Sequence, residues 1–127
     1  MVEQQPTAED YLQQMRIAMG NVPSAIEKSV TADPSLIHEH MRSRAYAMPM
    51  PGAFDEETRT LIYLAAALAG SSPACVRAMA DRIRMLKIAS EKVAETLHIV
   101  RFAMATKIIG DAEAVFDALN AVNGAQR

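Results

Sequence analysis

Apolar residues along this chain recur every three or four positions rather than every second one, a spacing that predicts helices throughout. Tyr11, Leu12, Met15, Ala18 and Met19 share one face, with Thr7 placed to cap the start and Gly20 to end it. Asn21-Val22-Pro23 restarts the chain into a short second helix ending near Ala32, because proline fits the first helical turn. Asp33-Pro34 opens a third helix with the stripe Ile37, Met41, Ala45 and Met48. The run Met48-Pro49-Met50-Pro51-Gly52 must break it, since neither proline can donate a helical hydrogen bond. Asp55-Glu56-Glu57 then puts negative charge where the dipole of a fourth helix favours it. From Leu61 to Ala69 this helix is apolar on nearly every side, which predicts a central helix buried on more than one face. Gly70 ends it, and Ser72-Pro73 opens a fifth helix carrying Val76, Met79, Ala80, Ile83 and Leu86 on one stripe. Ser90 begins a sixth, with Val93, Leu97, Val100 and Met104 in register. Gly110-Asp111 reads as the break before a seventh, whose Ala112, Val115, Phe116, Leu119 and Val122 are expected to face inward. The tail from Asn123 to Arg127 is expected to fray.

The fold class is therefore all-α, a bundle of about seven helices, and the 127 residues have room for one domain spanning 1–127. Half of the residues are apolar, enough for a core without disulfides or metals. The apolar positions of helices four and five exceed what one thin layer of neighbours covers, so a homo-oligomer is expected, the alternative being a self-sufficient monomer.

Charge narrows the partners. Thirteen Lys and Arg are scattered among fifteen Asp and Glu, a net charge of −2 with no basic footprint, so no nucleic-acid partner is expected. The residues from Met1 to Pro6 lack the basic start and apolar run of a signal peptide, and the Leu61–Ala69 stretch is too short to span a membrane. One cysteine excludes an intramolecular disulfide and a cysteine-based metal cage, which fits a reducing cytoplasm. No cofactor is implied. His38 and His40 stand two apart on a helix and point to nearly opposite sides, so they do not chelate one metal together. Nine methionines and no tryptophan leave Leu, Ile, Val, Met and Ala to build the core.

Cys75 is the first candidate for chemistry. With Ser72 as N-cap and Pro73 as the first helical residue, it falls at the third helical position, where the dipole and free N–H groups favour a thiolate. The competing reading is a small, inert core thiol. His98 is a second candidate, one turn from both Glu95 and Arg101, which could orient it as a base or simply pair with it on the helix surface. Arg82 lies two turns along the face of Cys75 and could clamp an anionic substrate. Arg77, Asp81 and Arg84, spaced by four and three, read as a solvated ion-pair ladder beside it.

The segment from Phe54 to Cys75, reading Phe-Asp-Glu-Glu-Thr-Arg-Thr-Leu-Ile-Tyr-Leu-Ala-Ala-Ala-Leu-Ala-Gly-Ser-Ser-Pro-Ala-Cys, resembles the core of the carboxymuconolactone decarboxylase and alkylhydroperoxidase D (AhpD-like) family. That family carries an acidic capped helix, a short turn, and then C-x-x-C-x-x-x-H at the opening of the next helix. Leu86 to Glu95 is similar to a further stretch of it, as are Gly20-Asn21-Val22-Pro23 and Asp33-Pro34, so the resemblance covers roughly Gly20 to Ala105. It implies an AhpD-like bundle, a trimer or hexamer, and a pocket for a small-molecule ligand lined by Thr60, Ser72, Met79 and Arg82. Three departures limit the activity it implies. Thr60 stands where redox-active members have glutamate, Ser72 where they have the first cysteine, and Met79 where they have histidine; only Cys75 remains. A two-cysteine peroxidase relay is therefore not expected. The functions left are a single-thiol oxidoreductase, a decarboxylase or isomerase acting on a lactone or related acid, and a non-catalytic helical homo-oligomer that binds a ligand or a partner protein.

Overall fold

A computed structural model describes residues 3–126. Among them are seven helices and no strand: α1 (Ala8–Met19), α2 (Ser24–Ala32), α3 (Ser35–Ala47), α4 (Glu56–Ala69), α5 (Pro73–Leu86), α6 (Ser90–Asp111) and α7 (Glu113–Ala125). No helix among the described residues is long and apolar enough to cross a membrane. The chain divides into two units, one ending at Ile88 and one beginning at Ala89.

The first unit starts with a capping box. The Thr7 hydroxyl accepts from the Asp10 N–H at 3.1 Å, and the Asp10 carboxylate accepts from the Thr7 N–H at 2.8 Å. That backbone donor holds the Asp10 carboxyl below its usual range. Gly20 closes α1 in the left-handed region, φ 80°, as its position predicts. At the start of α3, Asp33 accepts from both the Ser35 N–H, at 3.0 Å, and the Ser35 hydroxyl, at 2.6 Å. Asp55 caps α4 by accepting from the Thr58 N–H at 2.7 Å.

α4 and α5 form the most extensively packed pair, joined by three residues; α1 bears on α3 and α5, and α2 on α3. Leu12 and Met15 of α1, Ile37 of α3, and Leu64 and Ala67 of α4 make the buried core together with Ile88. α4 is less enclosed than its composition predicts. Thr60, Leu64 and Ala67, spaced by four and three, are its buried line, whereas Ile62 on another face is 51% exposed.

Both α4 and α5 end in the same hydrogen-bonded turn. The Ser72 N–H donates to the Ala67 carbonyl at 2.9 Å and the Ser71 N–H to Leu68 at 3.3 Å; at the end of α5, Ile88 donates to Ile83 at 3.1 Å and Lys87 to Arg84 at 3.2 Å. These are the paired six-to-one and five-to-two bonds of a Schellman motif. The left-handed position in each is not glycine but Ser71, φ 54°, and Lys87, φ 52°. Gly70 ends α4 as its C-cap, as its position predicts, at φ −84°, and the left-handed residue follows it. The residue after Lys87 is Ile88, only 7% exposed, so this turn also returns an apolar anchor to the core.

The loop before α4 is latched by Arg59, whose guanidinium donates to the Pro49 carbonyl at 2.7 Å and lies 3.3 Å from the Met50 sulfur. Gly52 passes close under this latch. A Cβ there would stand 2.8 Å from the Pro49 oxygen and overlap the guanidinium.

The second unit is α6 and α7. Two sequence expectations change here. α6 runs through Gly110 and Asp111, and the break is the single residue Ala112, φ −89° and ψ 8°. One glycine flanked by helix formers costs only about 1 kcal/mol in a helix and need not stop it. α7 then continues to Ala125 through Asn123 and Gly124, where fraying was expected, while Arg127 lies outside the described residues. The second change concerns burial. Every residue from Arg101 to Asp111 and from Glu113 to Gln126 is exposed, so Val115, Phe116, Leu119 and Val122 do not face inward. The uncovered apolar surface thus concentrates on α6 and α7 rather than on α4 and α5.

Two stability measurements test these assignments. Lys87→Gly removes the left-handed strain at an exposed position and is expected to raise unfolding free energy by about 0.5–1 kcal/mol in a urea titration. Gly52→Ala forces the Arg59 latch apart and is expected to lower it by about 1–3 kcal/mol. Unchanged midpoints would contradict each in turn.

Candidate functional site

Cys75 sits in the first turn of α5, where its place in the sequence predicts it. Ser72 is the N-cap, Pro73 the first helical residue, and Cys75 the third. The thiol is free and half-buried. The Tyr63 phenol, reaching across from α4, donates to Sγ at 3.5 Å. Ser72, one helical turn before Cys75, also favours its ionised form, and its side chain makes no capping bond to the backbone of α5.

Their effect on ionisation follows from charge. A thiolate accepts from both hydroxyls more strongly than a neutral thiol does, so the Cys75 pKa falls below the ordinary thiol value, Ser72 contributing most and Tyr63 next, against a smaller opposing cost of burial. Tyr63 moves the other way. Ionising the phenol would remove its bond to Cys75, so its pKa rises, reinforced by partial burial and by the negative sulfur, with the Arg44 guanidinium pulling modestly downward. The shifts run in opposite directions: the thiol ionises more readily than usual, and the phenol less readily.

The remaining sequence candidates fall elsewhere. Thr60 is buried, 4% exposed, and its hydroxyl donates to the Glu56 carbonyl at 2.8 Å, a local helix bond that leaves it facing the core. Met79 is half-buried on α5. Arg82 is engaged: its guanidinium donates to the Glu56 carboxylate at 2.9 Å and to the Ala18 carbonyl at 3.4 Å, bridging α5, α4 and α1. The proposed ladder forms in part, since Asp81 pairs with Arg84 and also accepts from the Asn21 amide at 3.4 Å. His98 is exposed on α6, in the second unit, and among the described residues its ring bonds neither Glu95 nor Arg101. His38 packs edge-on against Tyr11, ring centres 5.4 Å apart, while His40 is exposed. No three His, Cys, Asp or Glu side chains among the described residues gather as a metal site.

Two open grooves flank the start of α5. One, about 390 Å³, is lined by Asn21, Val22, Pro23, Ala74, Arg77 and Asp81 among others. The other, about 360 Å³, is lined by Ala67, Leu68, Ser71, Ser72, Val76 and Arg77 with Pro73. Of the residues expected to line a pocket, Ser72 borders the second groove; Thr60, Met79 and Arg82 border neither.

Tyr63 was not identified from the sequence. It lies twelve residues before Cys75, outside any local spacing rule. The signal that could have found it is the turn: α4 and α5 fold back on each other about Gly70, which brings a residue two turns before the turn opposite one in the first turn after it.

No protein-family model matches the chain, and no curated protein matches it.

The local geometry makes a ranked prediction. The native thiol should alkylate with a pH midpoint below that of the unfolded chain. Ser72→Ala should raise that midpoint more than Tyr63→Phe, because serine makes the larger contribution. Iodoacetamide rates measured across pH on native and urea-unfolded protein read this directly; equal native and unfolded midpoints would show an untuned thiol.

Proposed function

We propose that this chain acts as a single-thiol oxidoreductase on a small electrophile such as a hydroperoxide, with Cys75 as nucleophile. The observation that carries the reading is the Tyr63 hydroxyl bonded at 3.5 Å to a half-buried sulfur at a helix start, where Ser72 also favours the thiolate. A cysteine whose pKa is lowered by its neighbours presents more of the thiolate, the form that attacks, than an ordinary thiol does. The likeness to the carboxymuconolactone decarboxylase and alkylhydroperoxidase D family agrees with this position for a reactive sulfur. On this reading the chain is a variant of that family, its bundle AhpD-like, its assembly a trimer or hexamer, and its compartment the cytoplasm.

The chemistry closes with an outside thiol. The Cys75 sulfur attacks the terminal oxygen of the hydroperoxide, the O–O bond breaks, and the alkoxide leaves as alcohol after taking a proton from solvent through the Tyr63 hydroxyl. Cys75 is then a sulfenic acid. With Ser72 where a second cysteine would stand, the same chain offers no resolving thiol. An external thiol condenses with the sulfenic acid, releasing water, and a second equivalent displaces the resulting mixed disulfide to regenerate Cys75.

One observation favours the non-catalytic reading: Cys75 itself lines neither groove. The experiment separates the two. Organic hydroperoxide is supplied with an excess of small-molecule thiol, and consumption is followed for the native chain and for Cys75→Ser. Turnover that disappears in the variant, with one dimedone-trappable sulfenic acid per chain, is the expected result. Consumption equal to the reagent blank, with no trapped sulfenic acid, removes the oxidoreductase and leaves a helical scaffold.

A further inference from the structure

We propose that α6 and α7 are the interface through which two copies of this chain associate, the partner on that surface being a second α6–α7 arm. A two-fold contact of this kind fits the hexamer of the preceding reading and not its trimer, and it does not depend on the thiol chemistry.

α6 is 22 residues long and α7 is 13, about 33 Å and 20 Å of helix, and they touch each other in few places beyond the Ala112 joint. Neither can shelter the other. Ten large apolar side chains on the two helices stand between 41% and 74% exposed, Phe102, Ile108 and Ile109 the most open among them. They do not form one narrow stripe on α6: Ile99, Phe102 and Ile109 lie along one line, Leu97 and Met104 along another. A helix apolar on several sides is stable in water only when it is covered, and isolated helices are marginal even without such a burden.

The size of the surface says what kind of cover it needs. The two phenylalanines carry on the order of 150–250 Å² each and the other eight somewhat less, so ten at about half exposure present on the order of 1,000 Å² spread over the two helices. The largest apolar patch of an ordinary monomer is about 300–600 Å². A stable association takes about 800 Å² from each partner, and self-association surfaces are the more apolar kind.

Charge points to a second copy rather than a different protein. The first half of α6 has Glu91 and Glu95 against Lys92, and the second half has Arg101 and Lys107 against Asp111, so one half is net acidic and the other net basic. A two-fold pairing is self-complementary by construction. Run antiparallel, it lays the acidic half of one α6 beside the basic half of the other. Between Thr96 and Thr106 the only fixed charge is Arg101, which leaves the middle free to pack apolar against apolar.

The test uses the full chain and two readouts. Light scattering after size exclusion, from about 1 to 100 μM, should give a dimer or a higher multiple for the native chain. Phe102→Asp with Ile109→Asp should shift it to monomer, while Ile17→Asp, at an equally open apolar site on α1, should not. Amide hydrogen exchange should show α6 and α7 protected in the native oligomer and exchanging at least tenfold faster in the double variant. A monomeric native chain overturns the proposal. Protection of the two helices in that monomer would assign the cover to the same chain, and lack of protection would leave the arm to a different partner. An oligomer that survives the double variant overturns it as well. Because peroxide turnover is scored separately, loss of this interface and loss of the thiol reading are distinguishable outcomes.

Discussion

The turn between α4 and α5 is the constraint on which the candidate site depends. The Ser72 N–H closes α4 by donating to Ala67, and the same residue is the N-cap of α5. One serine is therefore the last residue of one motif and the first of the next, which leaves no slack between the helices. Tyr63 and Cys75, on opposite sides of that turn, are brought within the 3.5 Å of their hydrogen bond by this geometry. The Ser72 hydroxyl is available to sulfur because the backbone of α5 does not take it. Lengthening the turn by one residue would rotate α5 by about 100° relative to Ser72 and separate all three groups.

Further from the turn, Arg82 keeps the α4–α5 pair in place against α1. Its two guanidinium nitrogens reach Glu56 at the start of α4 and the Ala18 carbonyl at the end of α1. At 23% side-chain exposure the Arg82 end is more sheltered than an ordinary surface pair, although Glu56 is 42% exposed, so its value lies in orientation more than in energy. This explains why Arg82 is a poor clamp for substrate. Releasing it to bind an anion would leave Glu56 and the last turn of α1 without their shared partner. The buried core below is small, five apolar side chains from α1, α3 and α4 with Ile88, and the Ile88 anchor is set by the second Schellman turn.

How much of this could be read from the sequence depends on the range of the interaction. Helix starts were legible because caps are local: Thr7, Asp55 and Ser72 each act within three residues. The ends were less so. Gly70 does end α4, but the left-handed residue after it is Ser71, which glycine's usual role does not point to, and Gly110 suggested a break that Ala112 makes. Position of the thiol at a helix start was legible for the same local reason, but Tyr63 was not, because its meeting with Cys75 requires the whole hairpin. Periodicity marks an apolar face on α7, whereas α6 is apolar on several sides. It could not say what lies against either helix, since spacing reports which side is apolar and carries no information about the neighbour.

A thiol tuned by hydroxyls behaves differently from one tuned by imidazole. A histidinium stabilises a thiolate through charge, and the pair is lost when the imidazole itself titrates near neutrality. Serine and tyrosine contribute neutral donors, which stay in place across the whole range in which the thiol ionises. Tyr63 is held protonated by the very anion it supports. The sulfur is therefore assisted without an imidazole. What neutral donors of this kind lack is a group that gives up a proton rapidly to a leaving group near neutral pH. The arrangement suits slow turnover of an electrophile more than rapid peroxide clearance.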